Sequence, residues 1–153
     1  MATAYKADNY AQPFTASPFA GIEMVRDFLF TVSVAFVIND TVKLVAMKAG
    51  SGLILDGFYI DLPDLDTNGT PTWKADLGDT DTAAKFVSAS TLGQAPALLI
   101  PGCTGFVAAS LPVKYTADKD FILKCNTAPA TGATSVSIRG SIRYHNIGSA
   151  TVL

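Results

Sequence analysis

The sequence predicts an all-β protein, an antiparallel β-sandwich or jelly roll with an extended N-terminal arm. Three observations support this fold class. Apolar and polar residues alternate in many short segments, turn residues separate these segments at intervals of about ten residues, and helical periodicity is scarce. Short strands of this kind pack as two facing sheets, so we expect one β-sandwich domain over residues 28–153 and an arm over residues 1–27.

The predicted arm has no sustained strand or helix period, and it contains four aromatic residues. These are Tyr5, Tyr10, Phe14 and Phe19. Disordered tails are usually poor in aromatic residues, because apolar side chains favour contact. Two interpretations remain open: the arm docks onto another molecule, or it forms a first strand or covering segment on its own domain.

The first half of the domain predicts a β-hairpin followed by two further strands. Residues 28–38 and 42–46 show period-two alternation, and Asn39 and Asp40 between them tolerate tight-turn geometry. This pattern is typical of two strands joined by a short turn. The further strands are predicted over residues 53–62 and 72–77.

The second half predicts short, interrupted strands and then two clear ones. Residues 83–94 fit either a short strand or one helical turn, and prolines and glycines interrupt residues 95–112. Residues 121–125 read as a strand before a wide loop at residues 126–134. Residues 136–145 then alternate with great regularity, which indicates a long strand with one polar face.

The composition excludes several classes of protein. Charged residues make up 16% of the chain, against about 25% in typical domains, and the mean hydropathy is +0.32. This indicates an oily surface for a free monomer, yet no apolar run approaches the roughly 18 residues that cross a bilayer. The basic residues are scattered and the net charge is −2, which argues against nucleic-acid binding. No secretory signal is visible, so we expect synthesis in a cytoplasm.

One loop begins like the calcium loop of an EF-hand. Asp64, Asp66 and Asn68 occupy the first three ligand positions, and Gly69 occupies the position of the sharp turn. Position 12 is Ala75 where a bidentate Glu is needed, and the flanking segments are predicted strands. Asn-Gly is also a strong turn dipeptide. We therefore predict a turn whose Asp residues face water or a neighbouring subunit, and partial calcium binding remains a hypothesis.

No pattern predicts a catalytic or cofactor site, and we expect the protein not to be an enzyme. His145 is the single histidine, and its place at the end of a strand favours a surface residue over a general base. Asp76, Asp79 and Asp81 resemble paired carboxylates for glycoside hydrolysis, but surface turns rich in Asp are far commoner. We therefore expect no catalytic, cofactor-binding or metal-binding residues.

The cysteines and aromatic residues leave further alternatives. Cys103 and Cys125 are expected to be small buried thiols in a reducing compartment, with a bond between them or to other chains left open. A sugar platform would draw on Trp73, Tyr59 and Tyr115. Trp73 alternates with polar neighbours as a core residue does, which counts against a carbohydrate-binding module.

Several segments resemble small structural proteins of tailed-phage heads. The resemblance covers roughly residues 28–145 and consists of turn and strand motifs. The motifs are DTVKLV at residues 40–45, DLDTNGTP at residues 64–71 followed by LGD at residues 77–79, YTADKD at residues 115–120 and TAPATG at residues 127–132.

The resemblance implies a capsid decoration protein, also called a cement protein. Such a protein is a noncatalytic β-sandwich on the outer surface of the assembled capsid, where it bridges capsomers, often as a homotrimer bound to the major capsid protein. Here the arm would contact neighbouring chains and gain affinity as it orders. The alternative in the same virion is a neck or tail component or the base of a head fibre, which would share this composition.

Overall fold

The computed structural model describes residues 1–12, 21–49, 52–108 and 110–147. Within these residues the chain forms ten β-strands and no helix, so the predicted all-β class is confirmed. The strands are β1 (Ala4–Lys6), β2 (Glu23–Val32), β3 (Thr41–Met47), β4 (Leu53–Leu62), β5 (Lys74–Asp79), β6 (Val87–Ser90), β7 (Ala97–Leu99), β8 (Val113–Tyr115), β9 (Lys119–Thr127) and β10 (Val136–Asn146). Accordingly, this part of the chain has no helix that is long and apolar enough to span a membrane.

The strands form two sheets that pack against each other as a sandwich. Sheet 1 has the order β1-β3-β9-β5-β6, and sheet 2 has the order β2-β10-β4-β7, with β8 also paired to β4. Strands β1 and β3 are parallel, and the other pairs are antiparallel. Strands β9 and β10 therefore occupy interior positions, one in each sheet.

Aromatic side chains fill much of the space between the sheets. Phe58 of β4 contacts Phe86 and Phe121, with ring centroids 6.1 Å and 6.2 Å away. Elsewhere in the core Phe36 packs on Trp73 at 5.3 Å. Tilted pairs of this kind contribute about 0.5–1.5 kcal/mol each beyond the area they bury. Trp73 is completely buried, as its alternation predicted.

Five of the predicted strands have counterparts in the structure, and the first of them, residues 42–46, lies inside β3. Predicted residues 53–62 coincide with β4, and predicted residues 136–145 correspond to β10, which runs one residue further. The strand predicted at residues 72–77 is β5, displaced by two residues, and residues 121–125 lie inside the longer β9. The ambiguous residues 83–94 contain β6.

The predicted hairpin between residues 28–38 and 42–46 is wrong. Strand β2 ends at Val32 and pairs with β10 in sheet 2, whereas β3 pairs with β1 and β9 in sheet 1. The connection between them crosses from one sheet to the other. Of the apolar side chains in this connection, only Phe36 is buried in the core. Val34, Phe36 and Ile38 continue the alternation of β2, which is why the sequence predicts one continuous strand.

The described part of the predicted arm packs on its own domain. Strand β1 pairs with β3, and the Tyr5 ring contacts Phe30 at 5.9 Å. The amide of Ala7 then donates to a carbonyl of sheet 1, and the amide of Asp8 donates to a carbonyl of sheet 2. This segment corresponds to the covering-segment alternative, and β2 begins at Glu23, inside the predicted arm. Phe14 and Phe19 lie outside the described residues.

Candidate interaction surfaces

The loop that begins like a calcium site is organised around a buried carboxylate. Asp66 is 1% exposed, in a connection that runs from sheet 2 to sheet 1. Its two oxygens accept hydrogen bonds from five backbone amides. The donors are Asn68 at 3.4 Å, Thr72 at 2.7 Å, Trp73 at 3.0 Å, Ala130 at 2.9 Å and Thr131 at 2.9 Å.

These amides keep the Asp66 carboxylate ionised. Burial alone raises the pKa of a carboxyl group. This effect is outweighed by hydrogen bonds from four backbone amides, those of Thr131 and Ala130 on one loop and of Thr72 and Trp73 on the other. The pKa of Asp66 therefore lies well below its usual range. The carboxylate ties together two loops that are far apart in sequence, so the expectation that it faces water or a neighbouring subunit is wrong.

The rest of this loop behaves as a turn. Asp64 accepts a hydrogen bond from the Asp66 amide at 3.0 Å, and Asn68 donates from its side chain to Thr131 Oγ1 at 3.0 Å. Asn68 and Gly69 are exposed in a connection between sheets, not in a hairpin. Within the described ranges, no three His, Cys, Asp or Glu side chains are grouped as metal ligands would be. Calcium binding here is still an untested hypothesis.

Of the three acidic residues Asp76, Asp79 and Asp81, the two that are buried also stabilise the fold through hydrogen bonds. Asp76 accepts from the Ala89 amide at 2.7 Å and from the Asn126 side chain at 2.9 Å. It is 6% exposed and Asp79 is 1% exposed, so the expected surface turn describes Asp81 alone.

Asp79 joins the two sheets. Its Oδ2 atom accepts a hydrogen bond of 2.8 Å from the Tyr115 hydroxyl on β8 and lies 2.6 Å from Lys85 Nζ. Burial alone would raise the pKa of Asp79, but the bonds from Lys85, Tyr115 and the Thr82 amide together hold it below its usual value. Burial, together with the hydrogen bond to Asp79, raises the pKa of the Tyr115 hydroxyl. Asp79, Lys85 and Tyr115 therefore form a polar link between the two sheets.

The remaining residues considered from sequence take ordinary places. His145 Nδ1 lies 2.7 Å from Asp56 Oδ2 at the end of β10. Both cysteines are free thiols; Cys125 is buried as expected, whereas Cys103 is partly exposed, so the expectation that it is buried is wrong. Tyr115, like Trp73, is buried, which leaves Tyr59 as the exposed member of the supposed sugar platform and removes the aromatic row that such a platform needs.

One exposed apolar surface lies on the loop between β2 and β3. Val34, Val37 and Ile38 are 59%, 43% and 55% exposed. We call these three residues the apolar loop. The Val37 amide donates to the buried Asp40 carboxylate at 2.9 Å, and Phe36 anchors the loop in the core. A pre-organised apolar surface binds a partner with little loss of conformational freedom, so this loop has the character of a protein-binding element.

A second exposed surface is the outer face of sheet 2. Strand β2 presents Val25 and Leu29 on it, and β4 adds Tyr59. Strand β10 contributes Arg139 and Arg143 from its polar side. The predicted oily surface thus divides into at least two patches of different character, one purely apolar and one mixed with charges.

Comparison with known proteins identifies two solved phage structures that contain chains of this fold. A chain from the capsid of Ralstonia phage GP4 matches with a TM-score of 0.77 and 24% identity, over 96% of this chain and 100% of that chain. A chain from the cyanophage Pam1 capsid asymmetric unit matches with a TM-score of 0.65 and 26% identity, over 92% and 98%. This protein has the fold of phage capsid chains.

Both matches extend over almost the whole of both chains, so the likeness concerns the complete sandwich and not a shared fragment. No family model and no curated protein matches the sequence. The neighbours confirm the resemblance to phage head proteins. They support a structural role in a virion and suggest a protein without catalytic activity.

The apolar loop is the surface that sequence reasoning missed. Val34 and Ile38 continue the period-two pattern that begins at Phe28, and this pattern predicts a strand. The available signal was composition: from Ser33 to Ile38 every residue except Ser33 is apolar, so neither side of the segment is polar. An edge or surface strand would need a polar side, and its absence fits a loop with one buried anchor.

Proposed function

We propose that this protein is a noncatalytic decoration protein of a phage capsid. It binds the major capsid protein on the outer surface of the shell and bridges neighbouring capsomers, as a homotrimer made in the host cytoplasm. The observation that carries the proposal is the end-to-end likeness to a chain of the Ralstonia phage GP4 capsid. The hydrogen bonds of the buried acidic residues support the noncatalytic part of the proposal, because Asp66 and Asp79 are used to stabilise the fold.

The apolar loop is the proposed contact with the shell. It carries no charge, and it is held by the core through Phe36 and by Asp40. Each copy would bury only a modest surface, but many copies on a symmetric shell add avidity. In this arrangement the loop supplies the anchor, and Phe14 and Phe19 of the predicted arm reach a neighbouring chain.

The test is occupancy on particles. Purified protein is added to particles that lack it, and bound copies are counted by electron microscopy and quantitative gels. The variant Val34→Ser/Val37→Ser/Ile38→Ser should lose most of its occupancy. A matched control, Leu98→Ser/Ile100→Ser/Val107→Ser, changes three residues that are 37–44% exposed elsewhere and should bind normally.

The arm is tested separately with Phe14→Ser/Phe19→Ser. This variant is preferable to deletion of residues 2–27, because that deletion would remove β1 and the start of β2. Undiminished occupancy of this variant would refute the role of the arm. A wild-type protein present at only a few copies per particle would overturn decoration in favour of a neck, tail or fibre-base component.

A further inference from the structure

The outer face of sheet 2 carries three charged side chains that lack a charged partner within the part of the chain that the structure describes. Val25 is 56% exposed on β2, with Glu23 and Asp27 two residues away on the same face. Arg143 of β10 is the direct cross-strand neighbour of Val25. One apolar side chain is therefore surrounded by two acidic groups along its own strand and one basic group across the pair.

The three charged groups around Val25 have no partner among the described residues, unlike the charges beside them. Arg139 lies 3.9 Å from Asp61, and His145 lies 2.7 Å from Asp56. No such contact joins Arg143, Glu23 or Asp27 to another described side chain.

We propose that this face binds the same face of a second copy of the chain, with a two-fold axis passing over Val25. In a two-fold interface residue i contacts residue j and j contacts i, so a face that carries both signs of charge can complete itself. The partner is a second copy because its Arg143 can pair with Asp27 of the first copy while its Asp27 pairs with Arg143 of the first copy.

The spacing of a β-sheet makes the reciprocal pairing possible. Asp27 lies about 6.8 Å from Val25 along the strand, and Arg143 lies about 5 Å from it across the pair. When two such faces cross at about 90°, Arg143 of each copy comes over Asp27 of the other, and Val25 meets its own copy at the axis. Orthogonal packing of this kind is one of the two common arrangements of facing sheets.

Glu23 lies at the same distance on the other side of Val25, and the pairing assigned here leaves it outside the contact. In the assigned orientation Arg139 of one copy also comes towards the exposed ring of Tyr59 of the other. An Arg guanidinium over an aromatic face is attractive, so this second contact favours Asp27 over Glu23 as the partner of Arg143.

This contact is separate from the proposed function, because it is a property of the isolated chain. A two-fold contact on this face is compatible with a three-fold contact made through another surface of the chain. Failure of the self-contact would leave the capsid role untouched, and loss of capsid binding would leave the self-contact untouched.

The first experiment is cross-linking of the purified full chain under mild oxidation, in a Cys103→Ser background. Val25→Cys should form a disulfide-linked pair on denaturing gels at least about tenfold faster than Leu98→Cys, which is 44% exposed on β7. The proposal is overturned if the two variants cross-link at the same rate.

The second experiment tests the charges by exchange. With Val25→Cys as the reporter, Arg143→Glu alone and Asp27→Lys alone should each slow cross-linking about tenfold or more, since each reversal puts two like-charge contacts in the interface. A mixture of the two variants should restore the rate, in mixed pairs only. Glu23→Lys is the matched control and should not rescue Arg143→Glu. Rescue by Glu23→Lys in place of Asp27→Lys, or unchanged rates throughout, would overturn the assigned pairing.

Discussion

The carboxylate of Asp40 accepts a hydrogen bond of 2.6 Å from the backbone amide of Thr3. Its other oxygen accepts the Val37 amide at 2.9 Å, and the side chain is 1% exposed. A single buried group thus fastens the beginning of β1 and the apolar loop at one point. The position of the first strand and the rigidity of the proposed shell contact are therefore coupled.

Replacement of Asp40 should release β1. In Asp40→Ala the Thr3 and Val37 amides lose their acceptor, which costs about 1–3 kcal/mol. We expect trypsin to cleave after Lys6 at least about fivefold faster than in the wild type, as measured by mass spectrometry of the released N-terminus. Asp118→Ala is the control, because Asp118 also accepts a backbone amide but far from β1 in sequence. Equal cleavage in both variants would contradict the coupling.

Asp66→Asn should be among the most destabilising conservative changes in the chain. The amide side chain turns an NH₂ group towards backbone N–H donors and loses the charge that they stabilise. We expect a loss of about 2–4 kcal/mol in the free energy of unfolding, measured by urea denaturation at pH 7. Asp64→Asn, which affects one amide contact, should cost under about 1 kcal/mol. A similar cost for both would show that Asp66 is not the organising group.

The pKa of Asp66 also predicts how stability depends on pH. In the folded chain this pKa lies below its value of about 4 in the unfolded chain. The stabilisation is complete above pH 4, and it declines as the pH falls because the unfolded state takes up the proton first. Urea midpoints measured from pH 7 to pH 3 should fall more steeply for the wild type than for Asp66→Asn. Parallel curves would contradict the prediction.

Tyr115→Phe should weaken the link between the sheets. The change removes the hydroxyl donor from the buried Asp79 carboxylate and leaves the ring in place, so we expect a loss of about 1–3 kcal/mol in thermal or urea denaturation. Tyr59→Phe is the matched control, because the Tyr59 side chain is exposed and should change the unfolding free energy by less than about 0.5 kcal/mol.

Millimolar calcium should leave the protein unchanged. Calcium needs free carboxylate oxygens, and both oxygens of Asp66 already accept backbone amides. We expect no heat by titration calorimetry and the same melting temperature in calcium as in magnesium. A rise of several degrees with calcium alone would revive the metal interpretation.

Local pattern predicted the strands better than it predicted their connections. The regular alternation of residues 53–62 and 136–145 placed β4 and β10 closely, because both strands bury one side against the other sheet. The same alternation failed at residues 33–38. A periodic run of apolar side chains does not reveal whether the chain stays in one sheet. The positive φ of Asn39 (69°) fits a turn within one sheet as well as a connection between the two sheets.

The roles of the acidic residues were beyond local pattern for a different reason. Asp in a turn is normally solvated, and this expectation holds for Asp81. Asp66 is buried because the amides of Ala130 and Thr131, 64 and 65 residues away, complete its shell. Such a partnership is decided by the packing of the whole chain, so no window of sequence contains it.

The interior positions of β9 and β10 have a consequence for synthesis. Each lies between two neighbours, and both come from the C-terminal third of the chain. A growing polypeptide can therefore complete neither sheet until its last strands leave the ribosome. A protein truncated before Val136 would lack the strand that joins β2 to β4. Such a chain would leave β2 without a pairing partner in sheet 2.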